Sequence, residues 1–100
     1  MEFPQVIQEL GPASEGLFGT TTWEPGITAP GTEEASRAFT EAFRRRFGEP
    51  PPPLAMHGYA GAQALLAALA AGTASGQPLT GAALRDALAG VDLSLPFGRV

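Results

Sequence analysis

The chain has 100 residues, so it forms one domain at most, with a core of modest size. Its net charge of -4 disfavours nucleic-acid binding, because phosphate contacts need a basic face, and the one basic run, at residues 44–46, suits a helix end. The absence of cysteine excludes disulfides, thiolate zinc sites and cysteine nucleophiles.

The first part of the chain predicts a short helix followed by a strand. Apolar residues at helical spacing indicate a helix over residues 5–10, which Gly11 and Pro12 end. The β-branched and aromatic residues at positions 15–23 favour a strand, and a loop is expected from there to Gly31. One strand cannot form a sheet, so this strand would need partners that lie elsewhere.

The next helix is predicted by signals at both of its ends. Thr32 is a suitable N-cap, two glutamates follow it in the first turn, and an apolar stripe with a 3.6-residue period runs to Phe47. Three arginines in the last turn suit the negative end of the helix dipole, and Gly48 supplies a left-handed cap. The prolines at positions 50–53 prevent the helix from continuing.

A further helix, predicted over residues 54–71, is apolar on nearly all of its sides. A helix with this pattern is expected to be buried over most of its surface. Its longest apolar stretch, at residues 60–71, is too short to cross a bilayer.

The last part of the chain predicts a loop, a short helix and an extended tail. The loop covers residues 72–78, and Thr80 then caps a helix over residues 81–89. The tail, residues 91–100, is expected to be extended, with a turn at residues 96–98.

No arrangement of residues in the sequence predicts catalysis or metal binding. It has no glycine-rich phosphate loop with a lysine, no His-Glu-x-x-His and no Gly-x-Ser-x-Gly. His57 lacks an Asp, Ser or Cys partner in a recognisable motif, so we interpret it as a solvated or capped loop residue. We therefore expect no enzyme activity, no catalytic residue, no metal site and no cofactor.

Five segments in order along the chain carry a family resemblance. They are EGLFGTTTWEP at residues 15–25, AFTEAFRRRFGEP at 38–50, YAGAQAL at 59–65, TGAALRDAL at 80–88 and GRV at 98–100. Their collinear succession resembles the C-terminal part of type I periplasmic binding proteins, the Leu/Ile/Val-binding and amide-binding proteins of ABC importers.

The resemblance implies an α/β fold: a fragment of the bilobal type I periplasmic-binding-protein fold, rich in helix, with one or two strands. Because family members are several times longer, residues 1–100 would be a single partial domain without the N-terminal portion and the last strands. Residues 1–22 would be a strand region like that of the second lobe. Residues 23–92 would be helices like those of the first lobe, and residues 93–100 a crossing and tail.

The resemblance also implies four residues that contact the ligand in the cleft between the lobes. In the family, backbone just before the tyrosine-containing helix approaches the ligand's apolar side chain, which points to Leu54, with Met56 and Tyr59 nearby. The alternative is that all three are core residues at a helix start. Trp23 would form part of the wall of the cleft, or it would instead pack against the proline-rich loop.

The function implied by the resemblance is capture of a small solute by lobe closure, in a component, or a truncated relic, of an ABC importer for branched-chain amino acids or related small polar solutes. Its partners would be an amino acid or amide and the ABC permease, with no nucleic acid. The family's anchors for the ligand's charged groups lie upstream of the matched region. The isolated chain is therefore expected to bind no amino acid.

The alternative is a small helical interaction domain without a ligand, whose bare apolar faces would be covered by self-association into a homo-oligomer. The intact family implies a periplasmic or extracytoplasmic location. Met1 is followed by neither a basic start nor an apolar segment typical of a signal peptide. A product of this sequence alone is therefore expected to stay in the cytoplasm.

Overall fold

A computed structural model describes residues 4–74, residue 76 and residues 78–100. This part of the chain holds four α-helices, one 3₁₀ turn and one antiparallel hairpin. In chain order they are α1 (Pro4–Leu10), the 3₁₀ turn (Gly11–Ser14), α2 (Glu33–Phe47), α3 (Pro53–Ala74), α4 (Gly81–Ala89), β1 (Ser94–Leu95) and β2 (Gly98–Arg99). The chain is therefore rich in helix and carries a small sheet, as the sequence predicts.

The predicted strand over residues 15–23 is wrong. The first predicted helix is present as α1, but the backbone beyond the 3₁₀ turn is irregular, and Phe18 is fully exposed at 101%. A strand requires a neighbour for its backbone hydrogen bonds, and none lies beside this segment in the described part of the chain. The segment closes with a bridge between Glu24 and Ile27, where Gly26 has the positive φ of 90° that a tight turn needs.

Both predicted ends of α2 are confirmed, with one change at its start. Thr32 occupies the N-cap position, but its hydroxyl donates to the carbonyl of Ala29 at 2.8 Å, so the predicted side-chain cap is absent. Gly48 ends the helix in the left-handed conformation, at φ 79°, and its N–H bonds the Arg44 carbonyl at 2.8 Å. Glycine adopts this conformation without the strain that a Cβ would bring.

Helix α3 departs from its prediction in length and in burial. It runs from Pro53 to Ala74, and its buried residues are confined to Met56, Ala60 and Ala68. The expectation of burial on most sides is wrong, because the core and α4 together cover only part of the helix surface in the described residues. By length and composition alone the 22-residue helix could cross a membrane, because it extends beyond the apolar stretch at residues 60–71 at both ends.

The predicted cap of α4 and the predicted turn after it are both confirmed. The Ala83 N–H donates to the Thr80 hydroxyl oxygen at 3.1 Å. The tail folds into a hairpin in which Leu95 pairs with Gly98, so Pro96 and Phe97 form the turn. The predicted loop at residues 72–78 begins later than expected, because α3 continues to Ala74. Ser75 and Gln77 lie outside the described residues.

One small core joins α2, α3 and the hairpin. Its buried members are Trp23, Phe39, Met56, Ala60 and Leu95. The chain as a whole is elongated, measuring 59 × 26 × 25 Å. Its radius of gyration, 17.2 Å, exceeds the value of about 13 Å expected of a compact domain of this length. Much apolar surface therefore stays exposed.

Candidate functional site

Trp23 lies in the core, between the irregular segment and α2. It is 2% exposed, and its indole Nε1–H donates to the hydroxyl oxygen of Ser36 at 2.9 Å. Its ring meets that of Phe39 edge to face, with centroids 5.6 Å apart. Its backbone carbonyl accepts a hydrogen bond from the Thr21 hydroxyl at 2.8 Å. These contacts fix both the position and the orientation of the tryptophan.

The three predicted site residues on α3 differ sharply in exposure. Leu54, in the first turn, is 73% exposed, whereas Met56 has no exposed surface. Tyr59 is 39% exposed, and its ring packs against that of Phe39 with centroids 4.7 Å apart. The start of α3 therefore presents one free leucine, one half-covered tyrosine and one methionine that belongs to the core.

Two small pockets touch the predicted site residues. A pocket of about 160 Å³ lies beside Trp23, between the irregular segment and the turn of the hairpin. A second, of about 100 Å³, lies beside Tyr59 and Gln63 and is closed by Leu93 to Pro96. Both are smaller than the volumes of about 300 Å³ and more that usually hold a small molecule.

The largest described pocket lies on another face, between α3, the end of α4 and the hairpin. Its volume is about 450 Å³, and it is mostly apolar. The lining residues are His57, Ala60, Gly61, Ala64, Leu88, Ala89, Val91, Leu95, Phe97 and Val100. His57 supplies the one titratable side chain of this lining.

The interpretation of His57 as a loop residue is wrong. The residue lies in α3, and its Nε2 is 2.8 Å from the hydroxyl of Thr22. This contact ties the irregular segment to the helix across 35 positions of the chain. No local pattern signals such a pair, because the two residues belong to segments that meet only in the folded chain.

One of the exposed ion pairs of the described residues, between Asp92 and Arg99, shifts the pKa of both partners. The guanidinium of Arg99 binds both carboxylate oxygens of Asp92 at 2.6 Å. This hydrogen bonding lowers the pKa of Asp92 below its ordinary value and raises that of Arg99. Within the described residues, no group of three or more His, Cys, Asp or Glu side chains is placed to hold a metal ion.

Comparison with known proteins gives one match. The family model described as periplasmic binding protein matches residues 3–100, which is nearly the whole chain. No curated protein and no solved structure matches the chain. The helix-rich chain with its two-stranded sheet is consistent with a fragment of the family's α/β fold, and the family is generally non-enzymatic and normally periplasmic. The chain belongs to the periplasmic binding protein family, whose members bind small-molecule solutes.

Proposed function

We propose that this chain supplies one wall of a solute cleft in an extracytoplasmic receptor for branched-chain amino acids or related small polar solutes. The receptor would close its lobes around the solute and pass it to an ABC permease, without chemistry. Membership of the periplasmic binding protein family supports this proposal. The alternative, a helical module without a ligand, is not favoured by that membership.

The exposure of Leu54 is the observation that carries the proposal. The side chain is 73% exposed in the first turn of α3, two positions before the fully buried Met56. An apolar side chain held at the end of a helix that is anchored in the core suits contact with the apolar part of a solute. Burying a leucine side chain against such a partner contributes about 2 kcal/mol.

The other three residues would have different parts in this wall. Tyr59 keeps a partly free ring, which lies against Phe39 and so has a fixed orientation. Trp23 and Met56 are buried, and in the proposal they hold the start of α3 in place beneath the solute. Pre-organised walls of this kind lose little side-chain entropy when a ligand binds.

The wall would be insufficient by itself. A free amino acid carries a carboxylate and an ammonium group, and taking both out of water without partners costs several kcal/mol. The resemblance implies that the groups that bind them lie upstream of this chain. In the proposal, the facing lobe therefore supplies the charged anchors, and this chain supplies apolar contact.

The first test is the DNA on either side of the coding region for residues 1–100. A lobe-like coding sequence is expected immediately upstream, and its absence on both sides would contradict the proposal. The receptor that joins the two segments is then titrated calorimetrically with leucine, isoleucine, valine and small amides. Saturable binding of at least one solute is expected, and binding of none contradicts the proposal.

A matched pair of variants of that receptor tests the wall itself. Leu54→Ala should raise the dissociation constant about 30-fold, which corresponds to the loss of about 2 kcal/mol of apolar contact. Leu66→Ala is the control, since Leu66 is also exposed, at 60%, and lies about 18 Å further along the same helix. Equal effects of the two substitutions would refute the assignment of Leu54.

A further inference from the structure

We infer that the hydrogen bond between Thr22 and His57 positions the pivot about which the upstream segment, residues 15–21, turns relative to the helices. The Thr22 hydroxyl lies 2.8 Å from Nε2 of His57, which follows it by 35 positions in the chain. The inference rests on the proposed function, in which residues 1–22 and 23–92 belong to different lobes. It adds two positioning residues, neither of which is among the four proposed wall residues.

On the downstream side of Thr22, the chain is fixed to α2. Trp23 is buried, and its indole N–H donates to the hydroxyl of Ser36 on that helix. Its ring also meets that of Phe39, on the same helix, edge to face. The residue directly after Thr22 is therefore held in the core, and a rotation of the upstream segment has to take place at Thr22 or before it.

On the upstream side, the helices do not hold the chain by hydrogen bonds. Residues 15–21 are all exposed. The hydrogen bonds that they form within the described part of the chain are local, because two backbone N–H groups bond to carbonyls three positions earlier and Thr21 bonds to Trp23. The contact between Thr22 and His57 is therefore the hydrogen bond that joins the end of the upstream segment to α3.

His57 is held in place on its own side of the bond. It directly follows Met56, which has no exposed surface and so anchors this turn of α3 in the core. Its ring lies near that of Phe97 in the hairpin turn, with centroids 6.2 Å apart. Leu54, the proposed wall residue, lies three positions earlier, within one helical turn. The bond therefore links the upstream segment to the turn of α3 that presents the wall.

The strength of the bond suits control of orientation rather than of folding. Thr22 and His57 are both exposed, so water competes for both groups. A hydrogen bond of this kind shifts an equilibrium by a factor of up to about ten. Such a factor is small against the folding equilibrium, but it is sufficient to change the populations of two lobe orientations. Loss of the bond should therefore widen the range of orientations and leave the fold in place.

Spin labels on the full 100-residue chain test the pivot without a solute. The chain has no cysteine, so Phe18→Cys and Ala42→Cys place one label in the upstream segment and one at an exposed position of α2. Pulsed electron paramagnetic resonance measures the distribution of distances between them. Thr22→Val lacks the hydroxyl and should widen this distribution, whereas Thr22→Ser should not. The matched control, Thr20→Val, removes an exposed hydroxyl that has no hydrogen bond in the described residues and should leave the width unchanged.

Solute titration of the receptor gives a second readout. Thr22→Val should raise the dissociation constant about three- to tenfold, and adding His57→Ala should raise it no further, because either substitution removes the same bond. Additive effects of the two substitutions, an unchanged distance distribution in Thr22→Val, or a widening that Thr22→Ser shares would overturn the inference. A receptor that binds no solute would instead contradict the proposed function, and the distances in the 100-residue chain would still decide whether the bond positions the pivot.

Discussion

The hydrogen bond between Trp23 and Ser36 offers a sharp test of the core. Ser36→Ala removes the oxygen that accepts the indole N–H at 2.9 Å. Both residues are 2% exposed, so water cannot replace that oxygen without opening the core. An unsatisfied buried donor costs about 1–3 kcal/mol. The free energy of unfolding of a small domain can be as low as roughly 5 kcal/mol, so this cost is a large share of it.

Urea unfolding followed by fluorescence measures this cost directly, because Trp23 is the single tryptophan of the chain. With a slope of about 1 kcal/mol per molar urea, the midpoint should fall by about 1–3 M. Ser94→Ala is the control, since Ser94 is exposed on β1, and its midpoint should shift by less than about 0.5 M. Equal midpoints for the two variants, compared at one chain concentration, would refute the reasoning.

Three further predictions concern the ends of the elements. Gly48→Ala should cost about 1 kcal/mol in urea unfolding, because a Cβ at φ 79° is strained although nothing lies near it. Thr80→Ala should cost about 1 kcal/mol, seen as lost helicity by circular dichroism, through the absent cap on α4. Asp92 has a lowered pKa in the folded chain, so its contribution to stability is present above the ordinary pKa of an aspartate and is lost as the pH falls through the folded value. Carbon-detected NMR should show Asp92 titrating below an ordinary aspartate, and Arg99→Gln should remove the difference.

Helix α2 shows where local signals are sufficient. Its stripe, its terminal charges and Gly48 are patterns within a single segment, so the sequence predicts the helix without knowledge of its tertiary contacts. The cap of Thr80 on α4 is predictable for the same reason. Thr32 shows the limit, because its hydroxyl prefers the Ala29 carbonyl of the preceding turn, a choice that the sequence alone does not indicate.

The segment at residues 15–23 and helix α3 show where local signals fail. β-Branched residues favour an extended backbone, but a strand exists only beside another strand. An apolar pattern on all sides of α3 predicts burial only if a second layer is available to cover it. The contact between His57 and Thr22 likewise results from tertiary packing, so no residue spacing in the sequence predicts it.

The most direct test of the cleft wall is a distance between solute and side chain. Methyl NMR on the receptor that joins this chain to its upstream lobe, with leucine-methyl labelling and bound solute, reports which methyl groups lie beside the ligand. Nuclear Overhauser contacts from the solute's apolar part to Leu54, and none to Leu66, are the predicted result. Contacts confined to the large pocket, at Leu88, would contradict the account.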